Sequence, residues 1–489
     1  MRKKLISIFL LISMMVALLF GDSYGVLKKG LTEEEELFKD AMVIWYTDPQ
    51  YGEYIRDAAV TFENKTGVKV IALEVSDVDY LENIQRSTVD GVKAPDLFVL
   101  TNDSLERAVL SGLAGSCSDP EHVLNSAFYA DAGLRAVTYR DLYYGYPLSY
   151  ETAVIVYNES ALEDIVRTQD ALAQSGETTE GFTIAPEILE QIKEQEARQE
   201  LSYEEQLELE ARAKEILPTS VVGILDFANK YSLPEGMESY FNWDTKDVLY
   251  NYWFAGAYLN VGGECCDRSE DISIYNEQAL YSLKVFQDFK NYFSMDDESN
   301  SYSDTINAFI NRKSLFTVAG TDVISKLEKA KADDLFEDEY DILPLGMLNG
   351  SLSCRGLSVT TMVCVNGLSE NRTAAESFAA FLTTDYAPNL YARCAKMTAA
   401  HLEEYPYPQM ETIESCYEKT VSLPKMVETG NYYILAEMCF SNIWDGEDVN
   451  AELKKLSETV LRNYFGKDFE NVPIETPEVT ENYNSVGDN

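Results

Sequence analysis

Aromatic rings and carboxylates are the side chains of this sequence whose types and spacing could do chemistry. The chain has 32 Tyr, 21 Phe and 4 Trp, partly concentrated at residues 143–146, 250–254 and 431–433. Rings stack on the apolar faces of sugars, whereas Asp, Glu and Asn side chains accept hydrogen bonds from sugar hydroxyls. The pattern favours a neutral carbohydrate ligand, although aromatic clusters belong to protein cores more often than to ligand platforms.

Catalytic constellations are poorly represented. His122 and His401 are the two histidines, and neither stands in a recognisable nucleophile motif. The acidic runs 296–298 and 445–448 lack the ligand order and central glycine of an EF-hand, so we predict no catalytic residue, no cofactor and no metal site. Asp and Glu pairs suffice for glycoside hydrolysis, which leaves a secreted glycosidase as an alternative, but the repeated strand and helix alternation of a barrel cannot be traced.

The eight cysteines, at positions 117, 265, 266, 354, 364, 394, 416 and 439, are too few for a disulfide scaffold in a chain of 489 residues. Their spacing matches no zinc motif. We predict that most of them are small buried hydrophobic residues and that the adjacent Cys265 and Cys266 are not bridged to each other.

Charge and length exclude some partners and predict the domain count. The formal charge is −44, from 83 acidic and 39 basic residues, and no local basic patch is present. Nucleic acids and anionic membrane surfaces would be repelled by such a chain. At 489 residues, of which 46% are apolar, the chain exceeds what one hydrophobic core usually supports, so we predict two lobes.

The first residues have the order of an export signal. Arg2, Lys3 and Lys4 precede the apolar run 5–20, and the polar stretch 21–25 follows. Residues 1–25 therefore predict a signal peptide or, where the segment is not cleaved, a short N-terminal membrane anchor. Either outcome places the rest of the chain outside the cell, secreted or held at the extracellular face of the membrane.

The elements that must position the candidate side chains begin at residue 41. Residues 41–46 and 68–73 predict strands on either side of a helix over 54–65, and residues 95–100 predict a third strand. This order predicts an open parallel sheet covered by helices, whose ligands bind outside the carboxyl ends of the strands. The polar residues that follow these ends are candidate ligand-binding residues: Asp48, Asn102 and Asp103.

Two further segments differ from the rest in composition. Residues 163–215 contain fifteen acidic and five basic residues and predict a solvent-exposed helical hairpin, with Ser202 and Glu205 forming a capping box. The charge of this insertion is either a solvated face or a docking surface for a partner. The tail 468–489 is predicted to be disordered.

Several segments, taken in order, resemble a known family. Their spacing is similar to that of the extracellular solute-binding proteins of ABC transporters, in particular the maltose-binding-protein-like sugar receptors called solute-binding family 1. The likeness extends over roughly residues 41–470 apart from the acidic insertion. The segments are VIWY at 43–46, FENKTGVKV at 62–70, APDLF at 94–98, YPLSYE at 146–151 leading to VYN at 156–158, AFINRK at 308–313 with Gly320, and AAESFAAFL at 374–382.

The resemblance implies an α/β fold of two lobes, the type II periplasmic-binding-protein-like fold, in which each lobe is an open sheet flanked by helices and the ligand cleft lies at the hinge. Lobe 1 would comprise residues 41–148 and 365–415, and lobe 2 would comprise 149–364 and 416–467. The chain would cross between the lobes near 147–150, 361–365 and 416–424.

The same resemblance implies roles for individual residues. Asp103 and Glu151 resemble carboxylates that hold sugar hydroxyls, and Tyr150 lies on the first crossing, which would line the cleft. At Asp322 the sequence departs from many relatives, which carry a tryptophan near this point, and exchanging a stacking plane for a carboxylate argues against a maltodextrin ligand. The rings expected at the cleft are Tyr252 or Trp253 in the second lobe and Tyr432 or Tyr433 as a stacking platform.

The function implied by the resemblance is that of a monomeric extracellular receptor. It would capture an oligosaccharide and deliver it to the permease subunits of an ABC importer. Oligopeptides and polyamines are alternative ligands, and the combination of acidity with aromatic residues would suit a polyamine. A surface protein that transports nothing and docks through the acidic insertion is a further interpretation.

Overall fold

Two separate β-sheets organise the chain. The structure is a computed structural model, and it describes residue 38 and the ranges 41–89, 94–175, 202–293, 301–344, 346–466 and 468–477. In chain order the strands of these ranges are β1 (Ala41–Tyr46), β2 (Lys69–Glu74), β3 (Leu97–Thr101), β4 (Thr138–Tyr139), β5 (Leu142–Tyr143), β6 (Tyr146–Thr152), β7 (Val154–Asn158), β8 (Ser239–Asn242), β9 (Ser314–Ala319), β10 (Tyr340–Leu343), β11 (Leu357–Val365), β12 (Met397–Thr398) and β13 (Val421–Ser422).

Helices surround both sheets. In chain order they are α1 (Gly52–Thr66), α2 (Tyr80–Val89), α3 (Leu105–Leu110), α4 (Asp131–Val137), α5 (Glu159–Ser175), α6 (Tyr203–Glu215), α7 (Val221–Lys230), α8 (Glu277–Phe293), α9 (Tyr302–Ile310), α10 (Val323–Ala332), α11 (Arg372–Thr383), α12 (Leu390–Cys394), α13 (Gln409–Tyr417), α14 (Tyr432–Trp444) and α15 (Val449–Phe465). None of the helices in the described ranges is long and apolar enough to cross a membrane.

The larger sheet has the strand order β12-β6-β11-β3-β1-β2, and β13 pairs with β11. Strand β1 runs parallel to β2 and β3, as the β-α-β pattern predicts, whereas β11 runs antiparallel to β3 and β6. Helix α1 covers this sheet with an apolar face that includes Ile55 and Phe62, and it ends at Gly67, whose φ of 76° favours glycine. We call this sheet and its helices the first lobe.

The smaller sheet has the order β10-β7-β9-β8. Its core is rich in rings, since Phe241 stacks on Trp243 at 4.6 Å and Trp243 meets Trp444 edge to face at 5.5 Å. Helix α8 lies between this sheet and the pair α14 and α15, so the same core continues outward through three helices. We call this sheet and its helices the second lobe.

Two of the points at which the chain changes sheet differ from the predicted crossings. Residues 147–150 lie inside β6, and the change occurs at Ala153, the single residue between β6 and β7. Residues 361–365 lie inside β11, so the second change falls between β10 and β11. The third follows β13, which still pairs with the larger sheet. Backbone pairing along β11 holds these residues in the first lobe.

The acidic insertion is only partly a solvated hairpin. Residues 176–201 lie outside the described residues, and α5 and α6 pack against each other. The predicted capping box of Ser202 and Glu205 is present. However, Leu209 and Ala213 are buried in the core of the second lobe, so the prediction of a fully exposed hairpin is wrong for α6. A short apolar stripe among many charges is enough to attach a helix to a core.

Two other predictions are affected by the structure. Residues 468–477, predicted to be disordered, lie against α15, where the Asn450 amide donates to the Ile474 carbonyl oxygen at 2.7 Å and the Ile474 N–H donates to the Tyr275 hydroxyl at 3.1 Å. The predicted signal or anchor at 1–25 lies outside the described residues.

All eight cysteines are unbridged thiols, and four of them are buried: Cys266, Cys364, Cys394 and Cys439.

Candidate functional site

A polar cleft opens where the larger sheet presents the carboxyl ends of β1 and β3. Its volume is about 390 Å³, within the usual range for small-molecule sites. All of its lining residues come from the first lobe. The polar lining residues are Thr47, Asp48, Tyr51, Asp77, Tyr80, Thr101, Ser104, Arg107, Ser149, Tyr150, Glu151, Thr361 and Lys396.

The floor of the cleft is an ordered group of four side chains. The hydroxyls of Tyr51 and Ser149 share a hydrogen bond of 2.6 Å. The Lys396 ammonium lies 3.2 Å from the Asp48 carboxylate and 5.4 Å from the centre of the Tyr51 ring. Burial raises the pKa of the Tyr51 hydroxyl, which keeps it protonated as a hydrogen-bond donor. The group therefore presents an anion, a cation and two hydroxyls within one small surface.

Local structure explains how these side chains meet. Asp48 follows β1 and caps the 3-10 turn Pro49–Tyr51 by accepting from the Gln50 N–H at 2.9 Å, which turns Tyr51 back toward the sheet. Ser149 lies on β6, and Lys396 directly precedes β12, the strand paired with β6. The turn signal Asp48–Pro49 is visible in the sequence. No local pattern in the sequence predicts that Lys396 lies next to Asp48.

The rim of the cleft carries exposed charge of both signs. Asp77 follows β2 and Arg107 lies on α3, and both side chains line the opening. Together with the floor group they give the first-lobe lining both hydrogen-bond donors and acceptors. A polyol has the same mixture, since each hydroxyl both donates and accepts.

Glu151 lines the cleft and reaches the second lobe. Its two carboxylate oxygens accept hydrogen bonds from the Thr321 N–H at 2.7 Å and from the Thr321 hydroxyl at 2.9 Å. Burial raises the pKa of Glu151, although these two bonds oppose the shift. The carboxylate predicted to hold a ligand is thus already engaged by the protein.

A group of second-lobe residues repeats the chemistry of the floor, although none of its side chains is among the lining residues of the cleft. Asp322, at the start of α10, accepts a hydrogen bond from the Tyr302 hydroxyl at 2.5 Å and pairs with the Lys326 ammonium at 2.7 Å. Lys326 also lies 3.9 Å above the Tyr302 ring, whose other neighbour is Tyr250, stacked at 4.8 Å. Each lobe thus contains a neighbouring tyrosine, aspartate and lysine, with the lysine over the ring.

Two of the first-lobe residues predicted at the ligand, Asn102 and Asp103, lie outside the cleft lining, whereas Tyr150 is part of it. Asn102 is fully buried, and its amide bonds the Leu423 carbonyl and the Thr360 N–H, both at 2.9 Å. Asp103 accepts from the Thr101 hydroxyl at 2.5 Å and is not among the lining residues. Tyr150 borders the cleft, but its ring is buried and stacks on Tyr417 at 3.7 Å.

The rings predicted at the cleft belong to the core of the second lobe. The Tyr252 and Tyr432 hydroxyls bond each other at 2.9 Å, and both rings are fully buried. Trp253 stacks on Phe254 at 4.0 Å and borders a different, smaller cavity beside the sheet change. Tyr433 is half-buried and donates its hydroxyl to Asp247. These ring-rich segments pack into the core and not into the cleft, because large rings gain the most free energy from full burial.

The fold and this cleft are those of a binding protein with two lobes. Residues 57–396 match the model of a family described as bacterial extracellular solute-binding protein, and the chain belongs to that family. No curated protein matches the sequence.

Solved structures show the same architecture. An extracellular solute-binding protein from Staphylococcus aureus, in complex with maltose, is 15% identical and aligns over 87% of this chain and 98% of that chain with a TM-score of 0.66. A cyclo/maltodextrin-binding protein complexed with maltotetraose is 16% identical, with coverages of 87% and 97% and a TM-score of 0.63. A Thermus thermophilus maltotriose binding protein is 17% identical, with coverages of 86% and 100% and a TM-score of 0.58. These likenesses show the two-lobe type II periplasmic-binding-protein fold.

Proposed function

We propose that the chain is the extracellular substrate-binding protein of an ABC importer, that it captures an oligosaccharide in the cleft of the first lobe, and that it delivers this ligand to a membrane permease. Membership of the solute-binding family supports capture of a small molecule. The structural neighbours crystallised with maltose and maltotetraose support a carbohydrate. The low sequence identity leaves the particular sugar open.

The observation that carries the proposal is the floor group of Asp48, Tyr51, Ser149 and Lys396. Its donors and acceptors alternate over a short distance, and the hydroxyl pair is held by its own hydrogen bond at 2.6 Å. Such a surface can accept from and donate to successive hydroxyls of a sugar without burying an unpaired charge, because the Lys396 ammonium is already paired with Asp48.

The direct test is a thermal-shift screen of the purified chain with maltose, maltotriose, cellobiose, xylobiose, spermidine and a tripeptide. A ligand that binds only the folded state raises the melting temperature by mass action. We expect at least one saccharide to stabilise the protein. Stabilisation by spermidine or by the tripeptide alone would replace the carbohydrate with one of those ligand classes.

A chromogenic glycoside panel separates the receptor from a secreted glycosidase. A receptor releases no chromophore, whereas a glycosidase that uses two carboxylates does so catalytically. Turnover lost on changing Glu151 to Gln would establish an enzyme. Unchanged background rates in both proteins agree with the proposal.

Export and transport partners are part of the same proposal. Residues 1–25 direct the chain out of the cell as a signal peptide or hold it at the outer face as an anchor. Expression with an epitope tag, followed by fractionation and protease treatment of intact cells, tests this placement, and size-exclusion chromatography tests the monomer. A tag protected from protease in intact cells would contradict export.

A further inference from the structure

Two side chains of the first lobe form hydrogen bonds with residues at the start of α10 in the second lobe. Glu151 leaves the end of β6 in the larger sheet and accepts from Thr321 twice, at 2.7 and 2.9 Å. Thr321 follows β9 of the smaller sheet and directly precedes the first turn of α10. These hydrogen bonds therefore run from one lobe to the other.

A tyrosine makes the second part of the contact. Tyr391, on α12 of the first lobe, is buried, and its hydroxyl donates to the Thr321 carbonyl oxygen at 3.3 Å and accepts from the Ser325 N–H at 2.9 Å. One hydroxyl has one proton to donate and lone pairs to accept, so both bonds can form together. The four residues Glu151, Thr321, Ser325 and Tyr391 are called the α10 tie below.

The close approach depends on the residue before Thr321. A Cβ added to Gly320 would lie 2.8 Å from the nearer carboxylate oxygen of Glu151, closer than such atoms come in proteins. Glycine at this position thus admits the carboxylate. A carboxylate at a helix N-terminus is also favoured by the helix dipole and by the free N–H groups of the first turn.

We propose that the α10 tie sets the angle between the lobes before any ligand binds, and that Thr321 and Tyr391 are positioning residues for the cleft. Glu151 also lines the cleft, so one carboxylate takes part in the α10 tie and faces the candidate binding site. The proposal rests on the two-lobe fold and on the cleft, and it does not require the ligand to be a sugar.

The test uses the full chain without ligand. Thr321→Val keeps the shape of the side chain and the backbone N–H but removes the hydroxyl, and Tyr391→Phe removes the other hydroxyl. Thr321→Ser retains the hydrogen bond and serves as the rescue variant. Thr88→Val is the matched control, since the Thr88 hydroxyl donates to the Ile84 carbonyl at 3.0 Å within one helix of the first lobe.

Two measurements are made on each variant: the radius of gyration by small-angle X-ray scattering, and hydrogen exchange of the amides at 321–325. We expect the double variant to show a larger radius of gyration and at least about tenfold faster exchange at 321–325, with Thr321→Val alone showing a smaller change in the same direction. Thr321→Ser and Thr88→Val should match the wild type in both.

An unchanged radius of gyration and unchanged exchange in the double variant would overturn the proposal, and so would equal changes in Thr321→Ser. If the double variant does not fold, the single variant Thr321→Val decides the matter by the same two measurements. Because neither measurement uses a ligand, this outcome is independent of whether the thermal-shift screen finds a saccharide.

Discussion

Two tyrosines with almost equal burial illustrate how the lobes differ. Tyr51 in the first lobe and Tyr252 in the second lobe are both nearly inaccessible, at 2% and 0% exposure. The Tyr51 hydroxyl bonds Ser149, and its ring lies beneath the Lys396 ammonium at the floor of a cleft. The Tyr252 hydroxyl bonds Tyr432, and its ring stacks on Phe440. Their neighbours, and not their burial, distinguish the site residue from the core residue.

The comparison extends to the regions around them. The first-lobe region places polar side chains after strand ends, where the sheet stops and a ligand can approach. The second-lobe region places its rings in short turns covered by α8 and α14, where most of them are buried in the core. Aromatic density alone therefore indicates a core as readily as a binding surface.

The largest expected effect concerns the second-lobe region. Changing Tyr252 to Ala should lower the free energy of unfolding by about 3 to 5 kcal/mol, because it removes a fully buried ring and leaves a cavity. Chemical denaturation measures this loss. Tyr203→Ala is the control, since Tyr203 is 78% exposed and its loss should stay within about 0.5 kcal/mol. A Tyr252→Ala protein that is stable but no longer binds its ligand would show that Tyr252 belongs to the binding site and not to the core.

A buried cation sharpens the comparison. Lys425 is fully buried, donates to the Arg135 and Thr138 carbonyls at 2.5 and 2.6 Å, and has its pKa lowered by burial to about 8. The unfolded chain binds the proton more tightly, so between pH 8 and about 10.5 the stability should rise with pH. Relative to Lys425→Met, the gain should be roughly 3 kcal/mol, at about 1.4 kcal/mol per pKa unit.

Denaturation curves of both proteins across pH 7 to 11 check this result. Other groups titrate in the same range, so the quantity of interest is the difference between the wild type and Lys425→Met. Parallel pH profiles for the two proteins would show that Lys425 keeps an ordinary pKa and that its ammonium is better stabilised than its burial implies.

Neighbouring residues Asn102 and Asp103 provide a smaller test within the first lobe. Asn102→Ala should cost about 2 kcal/mol of stability, because it leaves the buried Thr360 N–H and Leu423 carbonyl without their partner. Asp103→Ala should change stability by less than about 0.5 kcal/mol, since Asp103 is half-buried and, within the described ranges, its side chain bonds only the neighbouring Thr101. Equal losses in thermal or chemical denaturation would remove the distinction.

The smallest effect is expected on affinity at the cleft floor. Lys396→Met should weaken binding of the ligand found by thermal shift about fivefold, roughly 1 kcal/mol, by removing one donor while keeping the aliphatic stem over Tyr51. Lys230→Met, on the far helix α7, is the control. Titration calorimetry gives both dissociation constants. Wild-type affinity in Lys396→Met would show that the floor group does not contact the ligand.

Much of the first lobe could be predicted from the sequence because its signals are local. Strand β1 was predicted at its observed limits, and α1 was predicted over 54–65 and spans Gly52–Thr66. Apolar periodicity, a turn at Asp48–Pro49 and the glycine after the helix define these elements within a few residues of chain. The sheet changes were less predictable. Residues 147–150 and 361–365, where crossings were predicted, lie within the paired strands β6 and β11.

The sequence alone determined the two-lobe α/β class and the absence of a nucleophile motif, and it predicted a ligand at the carboxyl ends of β1 and β3, the edge at which the polar cleft opens. Only the tertiary structure decided which side chains meet there. Glu151 and Thr321 are 170 residues apart in the sequence. Lys396 pairs with Asp48 although the two residues come from opposite ends of the first-lobe sequence. Periodicity and turn signals act over a few residues, whereas these contacts depend on strand pairing and on burial, which also drew Tyr252 into a core.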